Sequence, residues 1–317
     1  MKTLVLEAHS PKSFSVLKAN SEIQMIEKNQ SSECEALMIR SHTKVHQKFL
    51  KDHPNLKFVV TATSGFDHID IEACREKNIL VSYCPEANAQ STAEHTLFLM
   101  LSLLRGANQQ YRSLRGGMWR EGVERGGLLS ERTVGLVGFG RVGKKVAQLC
   151  KAFGAQVLAH DPYESDENFK AFGVERKGFT EVLKASDLLS FHVPLTSETK
   201  HMINGSTLSE LSDEAYIINA SRGDVIEESD LVSALREHKI KGAALDVYKK
   251  EPLAPNSFLL KEPTLFLTPH TGAYTEEAWE RASMEAASKL VAFAKGEVVS
   301  DQLPLSTPWF KKSLFPT

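Results

Sequence analysis

The chain has 317 residues, room for two domains at a typical ~100–200 residues each. With 42% hydrophobic and 25% charged residues it has the composition of a globular protein that builds its core without metals or disulfides. A net charge of −2 supplies no field for nucleic acid or an anionic membrane, and no run approaches the ~18 apolar residues of a membrane span.

The first hundred residues alternate short apolar runs with helical patterns. Strands are predicted at Thr3–Leu6, Ala36–Ile39, Phe58–Thr61 and Ile79–Ser82, with amphipathic stretches such as Val45–Lys51 and Ile71–Lys77 between them. From Ser91 to about Arg112 the Leu/Phe/Met periodicity predicts one continuous helix. A Gly-rich, charged stretch follows at Arg115–Gly127 and reads as a surface excursion. Strand-like runs then recur at Thr133–Val137, Gln156–Ala159, Leu188–His192, Tyr216–Asn219, Ala243–Asp246 and Leu265–Leu267. A second long helix is expected from about Thr275 to Lys295.

This alternation predicts an α/β protein with two doubly wound parallel sheets, joined by two long helices. The expected division is residues 1–98 with 288–317 as one domain and 99–287 as the other. A cleft between domains is the expected ligand site. The N-terminus, MKTLVLEAHSPKS, reads as too short in apolar residues for a signal peptide. Cys34, Cys74, Cys84 and Cys150 stand apart, with no CxxC pair and no His at ligand spacing. Buried reduced thiols in a cytoplasmic protein are expected, and no metal site.

The run VGLVGFGRVGKKVAQL places Gly138, Gly140 and Gly143 in a GxGxxG pattern between a strand and a helix-forming stretch. That context is what a dinucleotide's pyrophosphate requires. Gly138 permits a tight turn, Gly140 admits the backbone to the phosphates and Gly143 lets helix pack on strand. The amides of Arg141 and Val142 would face the anion at the helix N-terminus. Asp161 ends the next strand and would hold the ribose hydroxyls, favouring NAD over NADP; it also reads as a turn or cap before Pro162.

Three residues just beyond strands or turns carry acid–base chemistry: Arg222 in INASRGD, Glu251 in VYKKEP and His270 in FLTPHTGA. Residues past strand C-termini in a doubly wound sheet collect in one crevice. Oxidation of a hydroxyl needs a general base, and His suits that task at neutral pH. A carboxylate beside it would favour the imidazolium, and an Arg would fork onto a substrate carboxylate. Singly, each residue also reads as a salt bridge, a solvated turn or a surface loop.

In order, GFGRVGKKVA, HDP, FHVPLTSET, NASRGDVIEESDL, GAALDVYKKEP and LTPHTGA resemble the D-isomer-specific 2-hydroxyacid dehydrogenase family over nearly the whole chain. The resemblance implies a flavodoxin-like substrate domain and a Rossmann NAD domain. It implies that His270 is the acid/base, Glu251 its partner and Arg222 the substrate-binding residue. His192, Val193, Pro194, Thr199, Ala220 and Asp246 would line the NAD site, with Thr96 a further cofactor contact. TATSGFDHID matches the family's substrate loop, so the amides of Ser64 and Gly65 would bind the C1 carboxylate. MIRSHTKV is similar to the branches acting on phosphoglycerate and phosphoerythronate, which places Arg40 on a phosphate; Arg40 also reads as a salt-bridged strand end. Hydroxypyruvate, glyoxylate or broad 2-keto acid reduction is the second reading, and an NAD-sensing corepressor-like binding protein the third. A small-molecule hydroxy or keto acid is the expected partner, with a homodimer and without nucleic acid or membrane. Thr271 departs from the small aliphatic residue usual after the catalytic His.

Overall fold

The computed structural model describes residues 1–312 and 314. The chain folds into two compact units, Met1–Ala89 with the segment from Tyr274 onward, and Gln90–Ala273. Of the stretch 288–317 assigned from sequence to the first domain, 313 and 315–317 lie outside the described residues.

The first unit is built on β1 (Lys2–Val5), β2 (Gln24–Ile26), β3 (Ala36–Ile39), β4 (Phe58–Thr61), β5 (Leu80–Tyr83) and, from the chain's other end, β13 (Gln302–Leu303). Their order is β13-β5-β4-β3-β1-β2, parallel except where β13 runs antiparallel to β5. β3 and β4 are buried at every position, as strands covered on both faces must be. One cover is the helix Glu276–Ala294. Thr275 caps it by accepting from the Ala278 amide at 3.3 Å, and Glu276 and Glu277 complement its dipole. Its buried Ala282, Ala286, Ala287 and Leu290 pack against Met38, Phe58 and Val60.

The second unit contains β6 (Thr133–Val137), β7 (Gln156–His160), β8 (Glu175–Arg176), β9 (Leu188–Phe191), β10 (Tyr216–Asn219), β11 (Gly242–Leu245) and β12 (Leu265–Leu267). The order β12-β11-β10-β9-β6-β7-β8 is parallel throughout and reverses direction between β6 and β9. A ligand crevice is expected outside the strand C-termini at such a reversal. Here it falls on the glycine turn that follows β6. The helix Arg141–Ala152 leaves that turn with Gly143, Val146, Ala147 and Cys150 buried on one stripe.

The long helix read at 91–112 is two helices, Ala89–Leu104 and Ala107–Arg115. Gly106 separates them at φ +57, a left-handed conformation that an α-helix cannot pass through. All four cysteines are free and buried. Burial pushes the Cys34 thiol up to about 11 and those of Cys74 and Cys150 to about 12, so each is an inert apolar filler. No helix among the described residues is long and apolar enough to cross a membrane.

Candidate active site

The C-terminal edge of the second unit's sheet gathers most of the residues singled out above. After β6 the chain turns at Gly138, whose φ is +96. A Cβ there would lie 2.4 Å from the His192 carbonyl oxygen, and one on Gly143 would lie 2.3 Å from the Gly138 oxygen. The turn can be this tight only with hydrogen in both places. A Cβ on Gly140 would meet nothing within 4 Å, so open space lies in front of the helix start. No side chain caps that helix, and no acidic residue occupies its first turn, where Arg141 and Val142 stand. Its leading amides therefore face outward under a positive dipole end.

Asp161, just past β7, braces the glycine turn. Its Oδ2 accepts from the Phe139 amide at 2.8 Å and its Oδ1 from the Tyr163 amide at 2.9 Å. Each oxygen keeps further lone-pair capacity for ribose hydroxyls. His192 lies past β9, with Nε2 3.0 Å from the Ser190 hydroxyl; burial keeps its ring neutral, pushed down to about 3. Val193 packs on the core below, and Pro194 is exposed. Thr199 closes this loop on itself, donating to the Pro194 carbonyl at 2.6 Å while its hydroxyl accepts from the Thr196 amide at 2.8 Å. Ala220 follows β10 and is partly buried against the core. The glycine cradle, the uncapped helix start and the Asp161 carboxylate fit NAD. Thr96 is different. It is fully buried and its hydroxyl donates to the Thr92 carbonyl at 2.8 Å, which leaves it no surface for a cofactor.

His270 stands just past β12 at φ +53. Non-glycine residues rarely adopt that conformation, and strain of this kind persists only where neighbours enforce it. The enforcing group is Asp246, 1% exposed, just past β11. Its Oδ1 accepts from the Thr271 amide at 2.8 Å and the Thr268 hydroxyl at 2.7 Å, and its Oδ2 from the Gly272 amide at 2.8 Å. Burial alone would raise the Asp246 pKa, but these bonds and one from His95 hold it below the usual carboxylate range. The His95 Nε2 lies 3.3 Å from Oδ1 and 3.1 Å from the Thr268 hydroxyl. Thr271 thus serves through its amide.

The His270 Nδ1–H donates to Glu251 Oε2 at 2.6 Å. Glu251 Oε1 accepts in turn from the Tyr248 amide at 3.0 Å. The bond to Glu251 raises the His270 pKa, partly offset by burial. Burial would raise Glu251, but the His270 bond and charge, the Tyr248 amide and the Arg222 charge together outweigh it and the carboxyl sits low. Arg222 is close enough to bias both groups electrostatically. With Nδ1 held by a carboxylate, Nε2 is the ring atom available for proton transfer.

Several supporting residues escaped the sequence reading. Asn219 ends β10, accepts from the Ser221 amide at 3.0 Å and donates to the Arg222 carbonyl at 2.9 Å. This Asx-type turn fixes Arg222, and the Asn in INASRG was its signal. Gly223 lets that turn touch the Glu251 loop, since a Cβ would lie 2.0 Å from the Tyr248 carbonyl carbon. Tyr248 donates its hydroxyl to the Thr268 carbonyl at 2.7 Å, tying the Glu251 loop to the His270 turn.

The first unit holds Arg40, Ser64 and Gly65. β3 and β4 pair with Ile39 opposite Thr61, so Arg40 and the 62–65 turn leave neighbouring strand ends. The Thr63 hydroxyl donates to the Gly65 carbonyl at 2.7 Å and shapes the turn. Arg40 is partly buried, its Nη1 has no partner among the described residues, and burial lowers its pKa. Glu7 holds the segment after β3: its Oε1 accepts from the Arg40 amide at 3.0 Å and the Thr43 amide at 3.1 Å. No group of His, Cys, Asp and Glu among the described residues could hold a metal ion.

Residues 97–272 match the sequence profile of the D-isomer specific 2-hydroxyacid dehydrogenase NAD binding domain. A D-3-phosphoglycerate dehydrogenase of Archaeoglobus fulgidus is 37% identical over 313 residues, covering 96% of this chain and 59% of that protein. One of Bacillus subtilis is 37% identical over 271 residues, covering 86% and 51%. The chain thus spans little more than half the length of these curated relatives. The crystal structure of a D-lactate dehydrogenase from Aquifex aeolicus, complexed with NAD and lactic acid, superposes with a TM-score of 0.82 at 30% identity, over 94% of this chain and 96% of that one.

Proposed function

The chain belongs to the D-isomer-specific 2-hydroxyacid dehydrogenases, and from that premise we propose that it oxidises D-3-phosphoglycerate to 3-phosphohydroxypyruvate, reversibly and with NAD. The observation that carries the reading is the His270–Glu251 bond of 2.6 Å, with Arg222 close by, on the sheet edge that also bears the glycine turn.

Gly138, Gly140, Gly143 and the first amides of the Arg141 helix would hold the pyrophosphate, with Asp161 on the ribose. His192 to Pro194, Thr199 and Ala220 would flank it. Bound NAD supplies the acceptor for the hydride of C2. The chain's residues handle the rest. His270 Nε2 takes the proton of the C2 hydroxyl, and Glu251 stabilises the imidazolium that results. In reduction the imidazolium returns that proton to the ketone oxygen. Arg222 forks onto the substrate carboxylate and polarises the C2 oxygen. The amides of Ser64 and Gly65, which have no acceptor among the described residues, receive the C1 carboxylate. Asp246 positions the His270 turn and would lie near the nicotinamide amide.

Arg40 supports the phosphorylated substrate, because a partly buried guanidinium with an open Nη1 awaits an anion. Arg40→Ala is expected to lower kcat/KM for 3-phosphohydroxypyruvate by about 10–100-fold, the value of a charge-assisted contact of ~1.5–3 kcal/mol. Hydroxypyruvate, glyoxylate and pyruvate should change little in the same NADH-oxidation assay. Equal losses on all four would defeat the phosphate reading and favour a broad 2-keto acid reductase. NADH binding without turnover on any of them would favour a sensing protein.

We also propose a homodimer working in the cytoplasm. Tyr111, Leu114, Met118, Trp119 and Leu128 are exposed within one stretch of the sequence, apolar side chains that a second copy would cover. The four buried thiols suit a reducing compartment.

A further inference from the structure

The order β2-β1-β3 of the first sheet reverses direction between β1 and β3, so a ligand crevice is expected outside the ends of those two strands. His9 lies there after β1 and Arg40 after β3. His9 is 5% exposed, and its Nε2 sits 3.0 Å from the Leu6 carbonyl oxygen. A carbonyl only accepts, so Nε2 carries the ring proton and Nδ1 of the neutral ring presents a lone pair. That Nδ1 has no partner among the described residues; neither has the Arg40 Nη1, a donor. Buried polar atoms are nearly always satisfied, and two open ones at one strand-end crevice call for an occupant.

We propose that His9 is a substrate-contacting residue whose Nδ1 shares one proton with the phosphate of the phosphorylated hydroxy acid, completing with Arg40 an anion subsite inside the first unit. The proposal rests on the phosphorylated-substrate reading above and adds a residue and a proton to it.

The charged groups around His9 are few. Arg40 opposes protonation of the ring and Glu7 favours it, while burial dominates and holds the free imidazole down to about 4. Glu7 is occupied by the amides of Arg40, His42 and Thr43. From the helix packed above, Trp279 donates to the Ala8 carbonyl, Ser283 accepts from the Ser10 amide, and Glu280 pairs with Lys12 at 2.6 Å. A phosphate monoester loses its second proton near ~6. At pH 8 neither partner holds that proton when free, so the complex takes one from solvent and places it between Nδ1 and a phosphate oxygen. No covalent bond changes. Affinity then weakens about tenfold per pH unit over that range.

The test is calorimetric titration of the NADH-loaded enzyme with D-3-phosphoglycerate and with D-glycerate at pH 8, each in two buffers of different ionisation enthalpy. The wild type should take up about one more proton with the phosphoglycerate than with glycerate. His9→Gln, whose amide can still donate to the Leu6 carbonyl, should abolish that difference and leave glycerate binding unchanged. No extra proton in the wild type, or an undiminished one in His9→Gln, overturns the proposal. Phosphoglycerate binding no tighter than glycerate, with Arg40→Ala without effect, overturns the phosphate reading itself. Loss of phosphate preference in Arg40→Ala with an unaltered proton count in His9→Gln overturns His9 alone.

Discussion

His270→Asn is expected to lower turnover of 2-keto acids by about 10²–10⁴-fold, the usual worth of a positioned general acid. Affinity for NADH, read by protein fluorescence, should change by less than about twofold, since the glycine turn and Asp161 are untouched. Asn is the informative replacement because it tolerates the left-handed conformation that His270 adopts at φ +53. The loop held by Asp246 should therefore survive, and the loss should report the missing imidazole rather than a collapsed turn. A parallel loss of NADH affinity would mean that the residue shapes the pocket instead of moving a proton.

Gly138→Ala should be damaging for a different reason. The added methyl would lie 2.4 Å from the His192 oxygen, 2.7 Å from its carbon and 3.0 Å from Val193 Cγ1, on a backbone at φ +96. Backbone cannot yield as a side-chain end does. Strain plus collision should cost about 3 kcal/mol. At ~2–4 °C per kcal/mol for a domain of this size, Tm should fall by roughly 6–12 °C. Gly140→Ala is the contrast. It has open space around the new methyl, so Tm should stay within about 2 °C, as for surface changes of up to ~0.5 kcal/mol. NADH affinity should still fall in that variant, because the methyl would stand where the phosphates are proposed to approach. Comparable melting of the two variants would contradict this assignment of roles.

The architecture was legible wherever a strand is long and apolar. Ala36–Ile39 and Phe58–Thr61 are found at the residues read, and so are Thr133–Val137 and Tyr216–Asn219. β8 is only Glu175–Arg176 and β13 only Gln302–Leu303, too short to carry a period. Pairing with a neighbour, not composition, makes them strands. The helix Pro11–Lys18 was missed although Ser10 and Pro11 announce it: the Ser10 hydroxyl accepts from the Ser13 amide at 3.3 Å, and Pro sits at the first helical position. The division at Gly106 was hidden because apolar periodicity runs on past a residue whose left-handed turn only the fold demands.

The side chains proposed to react stand out in the sequence more than what holds them. His270, Glu251 and Arg222 carry their chemistry in their names and their strand-end positions. Asp246, read as a cofactor neighbour, is the clamp of the His270 turn, bonding groups 22 to 26 residues away. Gly223 and Tyr248 meet across a similar separation. Such pairings exist only once the sheet has brought strand ends together, so no local pattern announces them. His9 is the same lesson: one imidazole among eleven in the sequence, with no local pattern to announce the buried nitrogen it leaves open.

His270 is proposed to work as a proton carrier tuned by Glu251. The most direct test is the pH dependence of kcat/KM for keto acid reduction in the wild type and in Glu251→Gln. Reduction needs the imidazolium, so the rate falls as pH rises through the His270 pKa, which the Glu251 bond has raised. Removing the carboxylate should move that alkaline limb to lower pH, and the acid limb of the oxidation profile with it. An alkaline limb at the same pH in both proteins would contradict the account.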